Sequence, residues 1–360
     1  MYIVSQILAK ALQTSQQAVV ASTVPTISRV LSSDFIGMIQ RKLRDEHYPR
    51  AATKGSPPLD TTIVAFLVLL NNLDVAMDYT RRIVRSHIDQ LPRAEMVQGT
   101  NNQVSTLIEN YFPLGHDAAL VRDSLGNLES SFALKASELI TDGVYVAFKN
   151  IFKSRVRLVL AEAFREGDYL LKQETEDTLD NIGGKGNHGS EGIGAEVWEK
   201  FQAGWERLSQ PLLRLLTERN CEKLLNLLAS FLSEMLEKKI WSYYRRLDHH
   251  GAVRLERDIA GIVNIVIRGG RYRLREAFSR CMQICLIMNM EREEWEGLLN
   301  TSSGTDQMTE WQLDKDERLR ARTMIRDSTS TKEIGTVNNA PIQTKSLSDY
   351  PASTEQTMFQ

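Results

Sequence analysis

The chain has 360 residues, 42% of them apolar, so most of it can bury a core, and the length suits two or three domains. Its 44 basic and 46 acidic residues give a net charge of −2, which excludes the strong positive field that steers nucleic acid. Three cysteines, Cys221, Cys281 and Cys285, cannot frame a disulfide scaffold and fit a reducing cytosolic setting. The longest strongly apolar run, Ile63 to Leu70, meets Asn71, Asn72 and Asp74 and falls short of the roughly 20 residues a bilayer needs. The N-terminus has no basic residue ahead of its apolar stretch, and Ser5, Gln6 and Lys10 interrupt it, so no signal peptide is expected there. Membrane contact is therefore expected to be peripheral or through partners.

Helical periodicity dominates from the start. Ile3, Ile7, Leu8, Ala11 and Leu12 mark a first helix, and Val30, Leu31, Phe35, Met38, Ile39 and Leu43 a second over Val24 to Asp45. The basic cluster Arg41-Lys-Leu-Arg44 has acids beside it and reads as a solvated helix face. A Pro- and Gly-bearing gap, Tyr48 to Pro58, precedes a long helix over Leu59 to Leu91, capped by Asp60 or Thr61 and stopped by Pro92. At 1.5 Å per residue it would span about 50 Å, a length suited to a rod or stacked bundle. Helices follow over Gln103 to Tyr111, Ala118 to Ile140 and Val144 to Leu171.

Six glycines between Ile182 and Gly194 cannot hold a helix, so this segment is expected to be a linker or loop. Beyond it, Trp198, Phe201, Trp205, Leu208, Leu212 and Leu215 recur at helical spacing. Further helices cover Cys221 to Tyr244, Leu255 to Ile267, Leu274 to Met288, Glu291 to Leu299 and Asp314 to Ile325. No stretch keeps a strand's period of two. The tail beyond Arg326 is Ser/Thr-rich and is expected to be disordered. The expected fold is all-α, an elongated stack of helical bundles. A bundle or rod at 1–181 leads to the Gly-rich segment 182–194, a C-terminal bundle at 195–326 and a tail at 327–360.

Enzyme signatures are missing one by one. Lys185 in the Gly-rich segment is followed by Gly186 rather than Ser or Thr, so it is not a P-loop lysine. His249 and His250 are adjacent and point to different sides of a helix, so a helix-end or turn role before Gly251 is expected. Cys281 and Cys285 share a helix face, but no His or second Cys pair completes a metal site, and buried free thiols are expected. No catalytic, cofactor or metal residue is assigned.

One charge stands out. Arg280 has Ala277, Ile284 and Ile287 as helical neighbours, on the flank of the apolar stripe. A half-buried guanidinium needs an acid. Glu276, one turn back on the same helix, is one partner; Glu317 on the last helix is the other, and it would tie the chain's end to this helix. Trp295, Trp311 and Tyr243 are aromatic anchor candidates for a binding surface, with core packing as the plainer reading of each.

Several blocks together resemble subunit 4 of the conserved oligomeric Golgi complex. They are Arg246-Leu with Gly251, Glu256-Arg-Asp-Ile, Leu274-Arg-Glu-Ala-Phe-Ser-Arg280 with Gln283, Ile287-Met-Asn-Met-Glu-Arg292, then Trp311, Leu313, Glu317 and Arg320-Ala-Arg322. Upstream, Phe66-Leu-Val-Leu-Leu-Asn-Asn-Leu-Asp-Val75 and Tyr2-Ile-Val with Ala11-Leu12 run in the same order. The family's subunit is about twice as long, so the resemblance implies that this chain is a C-terminal piece or a truncated gene product.

The resemblance also implies a helical-rod subunit of a vesicle tether, non-enzymatic, on the cytosolic face of the Golgi in retrograde traffic of glycosylation enzymes. Its implied partners are the other subunits of the complex, SNAREs and Sec1/Munc18-type regulators, with no nucleic acid. Arg280 and Glu317 match family positions that carry an Arg and a Glu, which implies a structural or recognition pair. Trp311 belongs to the same structural or interaction set. The alternative is a helical-repeat adaptor, which a fixed period of about 40 residues would favour; the sequence has none.

Overall fold

The computed structural model describes residues 1–50, 61–88, 107–166, 169, 196–268, 271–300 and 311–325, without the side chains of 107 and 298–300. The expected cap Asp60, the stop at Pro92, the start at Gln103, the Gly-rich segment 182–194 and the tail after Arg326 lie outside them. Among the described residues the chain is all-α and has no strand, only an isolated parallel bridge between Leu247 and Ile325.

Helix α1 (Tyr2–Gln13) is followed by α2 (Gln17–Arg29) and α3 (Ile36–Arg41), which a π-helical turn at Val30–Phe35 joins into one run. A second π-turn, Lys42–Glu46, ends it. The helix expected to start at Val24 thus begins at Gln17. Pro25 is exposed on the solvent side, while Val20, Val24 and Ile27 form a buried stripe that holds the helix across it.

The long helix α4 (Thr61–Ile88) packs most extensively on α6 (Gly115–Ala147), with short α5 (Leu107–Tyr111) between them in the chain. α4 is long and apolar enough to cross a membrane by composition, yet ten of its residues are buried inside the protein, Phe66, Leu67, Leu70 and Leu73 among them. α6 continues through a π-turn at Phe148–Phe152 into α7 (Lys153–Ala163). The break expected between Ile140 and Val144 is absent. Gly143 is a contact point rather than a stop: a Cβ there would lie 2.5 Å from Leu70 Cδ2, so the missing side chain lets α4 and α6 approach.

The polar interruption of the apolar run, Asn71 to Asp74, is explained by what it faces. Asn71 Nδ2 donates to Leu215 O at 2.6 Å and Asn71 Oδ1 accepts from Thr217 N at 3.0 Å, clamping the turn between α8 (Val197–Leu215) and α9 (Glu218–Trp241). Buried Asp74 accepts from Arg219 at 2.5 Å, which satisfies a carboxylate that would otherwise be costly to bury.

α8 packs on α7 and on α10 (His249–Ile267); Val159 of α7 lies over Gly204, and Trp198 over Gly261. Tyr169 is buried beside α10, donates to Asp258 and stacks edge-on against Tyr243 at 5.4 Å. α10 leads through a tight 3-10 stretch, Tyr272–Phe278, into α11 (Ser279–Asn289), then α12 (Arg292–Asn300) and α13 (Lys315–Arg322). His249 and His250 are the first residues of α10, and Asp248 caps it by accepting from Gly251 N at 2.6 Å. Gly251 therefore opens a helix instead of closing one.

Candidate functional site

Helix α13 is seated by buried Leu313, Ala321 and Met324, and one guanidinium ties it to two other elements. Phe278 and Cys281 are fully buried, which fixes the rotation of α11 and turns the Arg280 flank toward α9 and α13. Asp314 starts α13 with a capping box: Asp314 Oδ1 accepts from Glu317 N at 2.7 Å and Glu317 Oε2 accepts from Asp314 N at 3.0 Å. The same Glu317 carboxylate that accepts from the cap also accepts from Arg280.

Arg280 spends its donors on three partners. Nη2 donates to Glu317 Oε1 at 2.6 Å and Nη1 to Glu317 Oε2 at 3.2 Å, a bidentate pair. Nε and Nη2 donate to the two oxygens of Glu237 on α9 at 3.1 and 2.9 Å, and Nη1 donates to the backbone oxygen of Gln312 at 2.9 Å. The side chain is about one-third exposed, with Glu237 at 21% and Glu317 at 32%. Its hydrogen bonds to Glu237 and then to Glu317 raise the Arg280 pKa against the opposing effect of burial, so it stays charged. Burial raises the Glu237 carboxyl, but the Arg280 hydrogen bond and charge outweigh it and leave the pKa below its ordinary value.

Of the two acids weighed from the sequence, Glu317 is the one in contact; Glu276 gives its backbone oxygen to Ser279 Oγ and makes no ion pair with Arg280. Glu237 is the member that sequence reasoning missed. It sits beside Leu236 on the edge of the α9 stripe, one turn after Ser233, whose carbonyl accepts from Cys281 Sγ at 3.3 Å. That shared flank with Cys281 was its only signal, and it needs the α9–α11 packing to be seen.

Trp311 is half-buried against the core, with the Arg318 guanidinium 5.6 Å from its ring centroid. Tyr243 and Trp295 are core residues. Residues that carry the family resemblance meet one another, with Asn289 Nδ2 donating to Glu256 Oε2 at 2.6 Å and Arg322 to the Met290 oxygen, and Gln283 Oε1 accepts from the neighbouring Gln312 N at 2.9 Å. They form a docking frame for the segment 311–325.

An open cleft of about 560 Å³ lies near the α8–α9 turn, lined by Leu213, Cys221, Leu225, Asn226, Arg271 and Leu274 among others. Burial raises the Cys221 thiol pKa, and among the described residues no histidine lines the cleft to act as its base. Cys281 is pushed up to about 12 by burial, and fully buried Cys285 is raised as well, so both are inert thiols. Among the described residues no three metal-ligating side chains gather.

Comparison with known proteins places the docking frame in a family context. Residues 66–320 match the family described as conserved oligomeric Golgi complex subunit 4, C-terminal. Residues 1–43 match the COG4 transport protein, middle alpha-helical bundle. A relative from Saccharomyces cerevisiae, conserved oligomeric Golgi complex subunit 4, is 23% identical over 276 residues, 73% of this chain and 30% of the relative. A protein of the same description from Arabidopsis thaliana is 21% identical over 295 residues, 81% of this chain and 35% of its own length. The matched part is thus about a third of those relatives, less than the half expected from the sequence.

Proposed function

The chain belongs to the family of conserved oligomeric Golgi complex subunit 4, and on that premise we propose that it is a non-enzymatic subunit of a Golgi vesicle-tethering complex. It acts in retrograde intra-Golgi transport, peripherally on the cytosolic face, by binding other subunits of the complex, SNAREs and Sec1/Munc18-type regulators. The observation that carries this is the pair of family matches, in family order over residues 1–43 and 66–320. The 195–326 region is the working end in this reading, and its shape and surface depend on α13 being held in place. The Arg280 network supports that role, because bidentate pairing on two helices and a backbone oxygen fixes one geometry rather than activating a substrate.

The test is restoration of Golgi glycosylation in cells that lack the endogenous subunit, read by lectin binding at the cell surface. A full-length subunit carrying this segment restores it, and the same protein carrying Arg280→Met restores less. Normal lectin binding in cells without the subunit would contradict the proposal.

A further inference from the structure

We propose that the face built from residues 238–247 and 318–325 is a docking surface for an acidic peptide segment of a protein partner. The two stretches are one surface: Arg245 N donates to Met324 O at 2.9 Å, Leu247 pairs with Ile325, and Tyr244 Oη lies 3.3 Å from Thr323 Oγ1. Together they hold Lys238, Lys239, Arg245, Arg246, Arg318, Arg320 and Arg322, in a chain where acids outnumber bases 46 to 44; Glu237, Asp248 and Glu317 stand at their edges, with Glu237 and Glu317 paired to Arg280 and Asp248 capping α10.

The aromatic groups set the cations outward. Arg320 lies 4.6 Å from the Trp241 ring centroid and 5.2 Å from that of Tyr244, and Arg245 lies 5.4 Å from the same Tyr244 ring. Arg245 is held there by a left-handed backbone, φ 57°, which a non-glycine residue adopts only at a cost. Among the described residues neither guanidinium has a carboxylate partner; their side-chain contacts are the rings. Arg246 and Lys238 are exposed beside them. Leu319, 56% exposed between Arg318 and Arg320, adds an apolar contact.

Two features favour a peptide over a membrane. Trp241 and Tyr244 are half-buried, and Trp241 Nε1 is tied to Glu237 at 3.3 Å, so the rings are not free to insert among lipids. Guanidiniums at fixed positions suit the directional, bidentate recognition that Asp and Glu side chains of an extended segment offer. This inference rests on charge and geometry and does not depend on the identity of the complex's other subunits.

The probe is a fluorescein-labelled twelve-residue peptide, three repeats of Glu-Leu-Asp-Glu, titrated with the full chain by fluorescence anisotropy. Vesicles of phosphatidylcholine and phosphatidylserine in equal parts form a second arm. The peptide binds, more weakly as salt rises, and the Arg245→Gln/Arg320→Gln variant loses about ten-fold in affinity. Lys238→Gln/Arg246→Gln, at exposed side chains, loses a similar amount and decides the matter if the first variant misfolds. Arg273→Gln, a 91% exposed arginine paired with Glu222, stays within about two-fold of the parent. Equal affinity in the parent and both double variants, an equal loss in Arg273→Gln, or binding to the vesicles but not to the peptide would each overturn the proposal.

Discussion

Replacing Arg280 with Met keeps the bulk of the side chain and removes its charge and all five of its hydrogen bonds. What remains sets the magnitude. Glu237 keeps one donor, Trp241 Nε1, and Glu317 keeps the Asp314 N–H, so neither carboxylate is stranded completely. Breaking a fully buried pair costs about 3–5 kcal/mol. Here all three side chains are partly solvated, and the expected loss is about 2–3 kcal/mol. The loss is local, because Arg280 anchors α13 and Gln312 while the α9–α11 apolar contacts persist. Urea titration of the full chain measures the total, and hydrogen exchange locates it at residues 311–325, with faster exchange there than in α9. Glu237 supplies a pH signature. Its folded pKa lies below the ordinary 4.5, so its contribution is complete above that value and disappears as pH falls through the folded pKa. The gap between parent and variant therefore narrows in acid. A loss under about 0.5 kcal/mol, with unchanged exchange at 311–325, would refute the reasoning.

Gly251→Ala places a Cβ 2.3 Å from the Tyr169 carbonyl oxygen, and should cost about 1–3 kcal/mol by urea titration, whereas Gly126→Ala, with nothing near it, should gain about 0.5–1 kcal/mol. Asn71→Ala removes both clamps on the α8–α9 turn, for a loss of about 2 kcal/mol in the same assay and faster exchange at the Thr217 amide. Tyr169→Phe takes a donor from buried Asp258, whose pKa burial already raises; the expected loss of about 1–2 kcal/mol at neutral pH shrinks as pH falls and the carboxyl protonates. Iodoacetamide labelling of the native chain, read by peptide mass, should leave Cys281 and Cys285 unmodified until urea unfolds the protein, since burial keeps both thiols protonated.

The helices with continuous apolar stripes were legible in the sequence, because burial follows the same 3.6-residue period that the chain displays. Phe201, Trp205, Leu208 and Leu212 are all buried in α8 as their spacing implies. What the sequence hid were places where tertiary contact overrides local signals. Pro25 and Gly143 look like boundaries, yet one sits on a solvent face and the other beneath Leu70. Gly251 looks like a helix end and instead follows Asp248 into α10. At the candidate site, Arg280 was conspicuous because a charge amid apolar neighbours demands an acid. Glu237 was not, because one acid on the edge of an amphipathic helix looks solvated until the facing helix is known.

Co-purification tests the central claim most directly. A full-length subunit carrying this segment is expressed with an affinity tag, and the other subunits of the oligomeric Golgi complex are quantified in the eluate. The account predicts that they are recovered in stoichiometric amounts. Recovery of the tagged protein alone, correctly folded and at normal abundance, would contradict it.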